Sequence, residues 1–144
     1  PRSTLFPYTT LFRSINGKFP GYKAVMSQVL SQKMVADREQ LHEVLARTSV
    51  LTNEKYRGIR LNLSNGCLKL SAHNPDHEEA SDEVSVDYEG DSLEIGFNVT
   101  YLMDALRAMS TKTVEAELHD GNSGCMLHEP DDDDTLYLIM PMRL

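Results

Sequence analysis

The chain has 144 residues, a formal net charge of −8 and a hydrophobic fraction of 40%, a balance that suits one folded domain. An acidic chain is a poor general nucleic-acid binder, because affinity for phosphates comes from clustered lysine and arginine. No apolar run approaches the roughly 18 residues of a membrane helix, so we expect no membrane association. The two cysteines, Cys67 and Cys125, form no metal or redox motif, and we expect free thiols in a reducing cytoplasm.

The first fourteen residues differ in character from the rest of the chain. They contain no acidic residue and no clean periodicity, and residues 4–14 read like an in-frame translation of a sequencing-adaptor oligonucleotide. We therefore interpret residues 1–14 as an adaptor-derived artefact and predict that they are dispensable for the fold. The alternative is a short edge strand of a truncated neighbouring domain.

A helical pattern begins at Asp37, a suitable N-cap with Gln40 three residues later as its capping-box partner. The apolar face that follows has the spacing i, i+3, i+4, i+7 and consists of Leu41, Val44, Leu45 and Thr48. Asn98 is the predicted cap of a second helix, whose apolar stripe consists of Leu102, Ala105, Leu106 and Met109.

The remaining segments alternate with a period of two, which is typical of strands. Four strands are predicted between the helices, and Asn65-Gly66 joins the first two as a hairpin turn, because both residues tolerate positive φ. Three more are predicted around residues 114–118, 125–127 and 136–142. This order of elements predicts an α+β domain in which two helices pack on one face of an antiparallel sheet.

Four stretches, in matching order and spacing, resemble the DNA polymerase III beta subunit family, the bacterial sliding clamps. They are INGKFPGYKAV at residues 15–25, NEKYRGIRL at 53–61, EIGFNVTYLMDAL at 94–106 and LIMPMRL at 138–144. The resemblance implies that residues 15–34 are the linker from a missing second clamp domain and that residues 35–144 are the third, C-terminal domain.

The same resemblance implies a non-catalytic processivity factor without a cofactor. The family's subunits contain three domains of like fold, and two subunits close head-to-tail around double-stranded DNA without sequence specificity. Short linear motifs of the DNA polymerase III catalytic subunit, the clamp loader and repair proteins are the expected partners, in the cytoplasm.

The family captures such motifs in a hydrophobic pocket, and an apolar chain end containing two methionines suits that task because methionine adapts to different side chains. Without the resemblance, the same segment reads as a core strand. Ala24 stands where many clamps carry a longer basic residue, which puts polar contacts there in doubt. The pocket residues that the resemblance implies are Pro20, Val25, Tyr56, Asn98, Tyr101, Leu138, Ile139, Met140, Pro141, Met142, Arg143 and Leu144.

The resemblance also implies a subunit interface. Val50 and Leu51 match an apolar pair at the joint between subunits, although such a pair can equally be the core end of a helix. Acidic residues of the region face basic ones across the joint in the family, and those expected here are Asp76, Glu78, Glu79 and Asp82. Arg47 and Arg107, on the polar faces of the helices, are the candidates for facing DNA, although surface arginines are usually only solubilising.

Two rival interpretations compete with a clamp domain. A metal site could be built from residues 131–134 with His119, Asp120 and His128, but consecutive aspartates point in different directions and an acidic surface loop explains them. The second rival is a free-standing peptide-binding adaptor of clamp-like fold.

Overall fold

The computed structural model describes residues 9–13, 32–52, 57–74, 76, 78–120, 124–132 and 135–143. The strands among them are β1 (Thr9–Arg13), β2 (Gln32–Asp37), β3 (Gly58–Ser64), β4 (Cys67–His73), β5 (Glu79–Ser85), β6 (Leu93–Asn98), β7 (Thr113–Leu118), β8 (Cys125–His128) and β9 (Thr135–Ile139). The helices are α1 (Arg38–Thr48) and α2 (Val99–Ala108), and a 3-10 turn, Ser49–Leu51, follows α1.

These strands form two antiparallel sheets, so the predicted α+β class is confirmed, although we expected a single sheet. The first sheet has the order β1-β9-β8-β7-β2, and the second has the order β5-β4-β3-β6. Helix α1 contacts strands of both sheets and also α2, while α2 contacts β6 and β9. The two helices therefore share one core with the two sheets.

Both helices begin where the capping residues predict. The Asp37 side chain accepts a hydrogen bond from the N–H of Gln40 at 2.9 Å, and the Asn98 side chain accepts one from Thr100 at 2.9 Å. Each cap satisfies an N–H group that the first helical turn leaves without a backbone partner. The predicted apolar faces are confirmed as well, because all eight of their residues are buried.

The hairpin between β3 and β4 turns at Asn65-Gly66 as predicted, with Ser64 opposite Cys67. Of the two turn residues, Gly66 adopts positive φ, at 76°, and Asn65 does not. Cys125 is buried in the core, and this burial raises the pKa of its thiol to about 12. Cys67 is half-buried, on the opposite side of β4 from the core residues Leu68 and Leu70.

Two strands lie where the sequence analysis placed no regular element. Strand β2 pairs along its length with β7, so its first three residues belong to this fold rather than to the predicted linker. Strand β1 pairs with β9, with Thr9 opposite Ile139, and excluding residues 1–14 from the fold is therefore wrong for Thr9–Arg13. The pairing favours an edge strand at this position, whereas the adaptor origin of the segment stays a prediction.

Glu129 joins the loop after α2 to the end of β8. Its carboxylate accepts hydrogen bonds from the N–H of Ser110 at 3.0 Å and from the N–H of Thr111 at 2.9 Å. These donors, the Ser110 N–H above all, lower the pKa of the Glu129 carboxyl below its ordinary value of 4.5, because they stabilise the charged form.

The Glu129→Gln variant is expected to be less stable than the parent by about 1 kcal/mol at neutral pH, since the hydrogen bonds from Ser110 and Thr111 lose the negative charge of their acceptor at a partly solvated site. A carboxyl whose pKa is lowered by folding stabilises the folded state above its unfolded pKa and loses this contribution as the pH falls. Chemical denaturation between pH 7 and pH 3 checks the prediction. The difference between the two proteins should shrink below about pH 4.5, and a constant difference would contradict it.

Candidate functional site

The tail, defined as residues 140–143, leaves the first sheet and joins the second. The Met142 N–H donates to the Gly96 carbonyl oxygen at 2.7 Å, which adds an isolated bridge to the free edge of β6. We predicted one strand over residues 136–142, but β9 ends at Ile139. Pro141 lies between the two pairings and has no N–H to continue a ladder, so the chain leaves one sheet before it contacts the other.

This bridge brings the predicted pocket residues of the tail to the start of α2. Gly96 lies two residues before Asn98, the α2 cap, and Tyr101 follows in the first turn of the helix. Tyr101 is partly buried and packs against the hydrophobic core cluster. The segment with Asn98 and Tyr101 therefore neighbours the segment with Met142, although the two are distant in sequence.

The tail exposes apolar surface. Met140 is 41% exposed, and Val50 is the other large hydrophobic residue that is exposed in the described part of the chain. Leu138, Pro141 and Met142 are partly buried and Arg143 is exposed. Pro20, Val25, Tyr56 and Leu144 lie outside the described residues.

Ile139 requires a correction. Its exposure is 0% because the alternation of β9 turns it into the core opposite Cys125, so it presents no surface to a peptide. Its predicted place in the pocket is therefore wrong. An apolar cavity of about 30 Å³ also belongs to the core, where Leu45, Phe97 and Leu106 line it.

Gly124 lies close to the start of the tail. A Cβ atom at this position would lie 3.0 Å from the Ile139 carbonyl oxygen and 3.3 Å from the Met140 sulfur. Such distances are shorter than ordinary van der Waals contact, so a glycine lets the segment before β8 approach the backbone of β9 closely. No sequence signal points to Gly124, because a single glycine does not reveal what lies beside it.

The predicted joint residues lie on the 3-10 turn. Val50 is 77% exposed and Leu51 is partly buried, and the turn packs against α1, β4 and β5. An exposed valine beside a partly buried leucine forms a small apolar surface at the end of α1.

The side chains of the predicted acidic residues do not all lie on the same face. Asp76, Glu78 and Glu79 are exposed, and Asn74 orders their loop because its side-chain oxygen accepts from the N–H groups of Asp76 and Glu78, both at 3.0 Å. Asp82 instead lies opposite the core residue Leu70, on the side of β5 that contacts α1.

Arg47 and Asp82 are direct partners. The Arg47 Nε donates to the Asp82 carboxylate at 2.7 Å, and this bond lowers the pKa of Asp82 below its usual range. Arg107 lies 3.4 Å from Asp104, one helical turn away. Both predicted DNA-facing arginines are exposed but carboxylate-paired, so a phosphate would compete with Asp82 and Asp104 for them.

Arg57 is a further residue that the sequence analysis missed. Its Nε donates to the Thr100 hydroxyl at 2.8 Å, and its Nη1 donates to the Thr52 hydroxyl at 2.7 Å. Thr52 ends the 3-10 turn, while Thr100 lies in the first turn of α2. No local pattern signals this link, because Arg57 and Thr100 are 43 positions apart.

The alternative metal site gains no support from the geometry. His128 is buried, and its Nε2 lies 2.9 Å from a Glu117 oxygen rather than beside Asp120. His119 is exposed, with its Nε2 3.9 Å from Asp120. Within the described residues, no group of three or more His, Cys, Asp or Glu side chains is arranged to hold a metal ion. No helix in the same residues is long and apolar enough to cross a membrane.

Comparison with known proteins gives consistent matches. Residues 23–143 match the family model described as DNA polymerase III beta subunit, C-terminal domain. The beta sliding clamp of Pseudomonas aeruginosa is 50% identical over 99% of this chain and 39% of its own length. That of Escherichia coli strain K12 is 38% identical over 90% of this chain and 36% of its own length.

Solved structures agree with these sequence matches. A crystal structure of the DNA polymerase sliding clamp from Pseudomonas aeruginosa with ligand has a TM-score of 0.80 and 53% identity, covering 90% of this chain and 36% of that chain. A sliding clamp from Bartonella birtlesii bound to griselimycin has a TM-score of 0.79 and 30% identity, covering 90% of this chain and 35% of that chain. This chain spans about two fifths of the length of the curated relatives it matches. With its matching family model, sequence identity and fold, the chain belongs to the DNA polymerase III beta subunit family and corresponds to that family's C-terminal domain.

Proposed function

We propose that this chain acts as the third domain of a sliding-clamp subunit, a non-catalytic processivity factor of the bacterial cytoplasm. In this role it binds short peptide motifs of partner proteins and joins a second subunit in a head-to-tail ring around DNA. Residues 35–144, together with β2, would form the domain, and the preceding residues 15–34 would include the linker to a second domain.

The observation that carries the peptide-binding proposal is the bridge between Met142 and Gly96. It joins the apolar tail to the strand that ends at Asn98, the cap of the helix that carries Tyr101, although the two segments lie in different parts of the sequence. Met140 offers a flexible thioether at the surface, and Tyr101 offers an aromatic face, a combination that accommodates several hydrophobic partners.

The ring proposal rests on the exposed Val50 beside Leu51. Burial of this pair against a second subunit would remove apolar surface from water, and the exposed carboxylates of Asp76, Glu78 and Glu79 would attract basic residues of that subunit. Double-stranded DNA would pass through the ring with sequence-independent contacts, for which Arg47 and Arg107 are the proposed residues. The peptide motifs are proposed to belong to the DNA polymerase III catalytic subunit, the clamp loader and repair proteins.

A fluorescent peptide containing a glutamine and a Leu-Phe hydrophobic end tests the pocket by fluorescence anisotropy. The protein for this test is a full-length clamp that carries this chain as its third domain, because a second domain contributes to the family's pocket. We expect a dissociation constant of micromolar order, since burial of a few apolar side chains is partly offset by ordering of the peptide.

The Tyr101→Ala variant of that clamp is expected to bind the peptide about tenfold more weakly, because the aromatic contact surface is lost. Tyr101→Phe is the matched control, since it keeps the ring and removes only the hydroxyl. Equal affinities of the parent and Tyr101→Ala proteins would show that the pocket lies elsewhere.

A further inference from the structure

Arg57 connects the two surfaces that the proposed function assigns to different tasks. Its guanidinium group bonds Thr52 at the end of the turn that carries Val50 and Leu51, and Thr100 at the start of the helix that carries Tyr101. Its backbone carbonyl also accepts from the Val99 N–H at 2.8 Å. The residue therefore holds the first turn of α2 by both its side chain and its main chain.

The hydrogen bonds continue on each side of Arg57. The Thr52 hydroxyl donates to the Ser49 carbonyl oxygen at 2.7 Å, and the Thr52 N–H donates to the same oxygen at 2.9 Å, so Thr52 closes the 3-10 turn. On the other side, the Thr100 N–H donates to the side chain of Asn98. A displacement of the turn would reach the cap of α2 through a path of short, directional bonds.

The chemistry of the guanidinium group suits this path. Its donors lie in one rigid plane, so Nε and Nη1 hold the two threonine hydroxyls in a fixed relation that a lysine ammonium group could not maintain. A cation beside the N-terminus of a helix is also electrostatically unfavourable, because the helix dipole is positive there. Stabilisation of α2 alone therefore does not account for an arginine at this position.

We infer that Arg57 is a positioning residue for the peptide pocket. It fixes the position of the first turn of α2, and of Tyr101 in that turn, and this position depends on how the 3-10 turn with Val50 and Leu51 is packed. This inference rests on the proposed function, because it needs both a pocket beside Tyr101 and a partner surface at Val50. Peptide affinity then depends on whether the turn is covered by a second subunit, and the dependence is reciprocal.

A double-mutant cycle in the full-length clamp tests the inference through peptide affinity. Thr52→Val removes only the hydroxyl at the turn, and Arg57→Met removes both side-chain bonds of the arginine. We expect each variant alone to weaken peptide binding about threefold to tenfold, and Thr52→Val to have no further effect in the Arg57→Met background. Arg60→Met is the matched control. Arg60 lies on β3, which begins directly after Arg57, and its Nε is 3.6 Å from Glu94. The Arg60→Met clamp should bind the peptide with the affinity of the parent.

Backbone amide NMR of this chain gives a second readout that needs no peptide. Thr52→Val should shift the resonances of Thr100 and Tyr101, and the shifts should disappear in the Arg57→Met background. Unchanged resonances, or additive affinity losses in the cycle, would overturn the inference. A parent clamp that fails to bind the peptide would contradict the proposed pocket instead, while the NMR result would still decide the role of Arg57.

Discussion

Removal of residues 140–144 from a full-length clamp carrying this chain is expected to lower its affinity for the Gln and Leu-Phe peptide about a hundredfold. Loss of roughly 100 Å² of apolar contact corresponds to about 2.5 kcal/mol, and this loss alone accounts for most of the effect. The exposed Met140 and the partly buried Met142 supply that contact surface in the described tail.

The truncation also removes the hydrogen bond from Met142 to Gly96, which costs about 1 kcal/mol of stability. The fold should nevertheless persist, because Ile139, the last residue of β9, remains in the core. Anisotropy with the labelled peptide measures the affinity, and calorimetry measures the change in melting temperature. A clamp with Met140→Leu and Met142→Leu is the control, since it keeps an apolar tail and should bind within about threefold of the parent. Equal affinity before and after truncation would refute the placement of the site.

Leu51→Asp in the same full-length clamp is expected to convert the dimeric ring into monomers at micromolar concentration. A carboxylate at this position would be buried against a partner's apolar surface without a compensating charge, which costs several kcal/mol and weakens association about a thousandfold. The 77% exposure of Val50 shows how much apolar surface the neighbouring position offers to a partner.

Sedimentation velocity distinguishes dimers from monomers in this test. The conservative variant Leu51→Met keeps the apolar character of the position and should remain dimeric. Because Leu51 is partly buried, the melting temperature of the Leu51→Asp monomer should be measured as well, to show that the subunit itself is folded. A folded Leu51→Asp clamp that stays dimeric would exclude this turn from the joint.

The features that depend on neighbouring residues could be predicted from the sequence. Asp37 and Asn98 cap their helices because the groups they satisfy lie within three positions, and the hairpin at Asn65-Gly66 closes within two residues. Strand β2 carries no separate signal in the sequence, because its six residues end at Asp37, where the strong helix signal begins.

The candidate site was predictable only in part. The resemblance indicates that Asn98, Tyr101 and the chain end belong together, and in the structure Met142 bonds Gly96, two residues before Asn98. It could not indicate that Ile139 faces the core, because the direction of a side chain depends on the register of β9 with β8. Arg57 carried no sequence signal, since its hydroxyl partners on either side become neighbours only in the folded chain.

The different surroundings of the two cysteines allow a fluorophore to be attached at one chosen position. The Cys125 thiol is buried and, with a pKa of about 12, is almost entirely protonated at neutral pH, so it reacts slowly with maleimides. Cys67 is half-buried on the outer side of β4 and is the thiol that a reagent in solution reaches first. One dye per domain at Cys67, the first residue of β4, would allow energy transfer between two labelled subunits to report the opening of the proposed ring in real time.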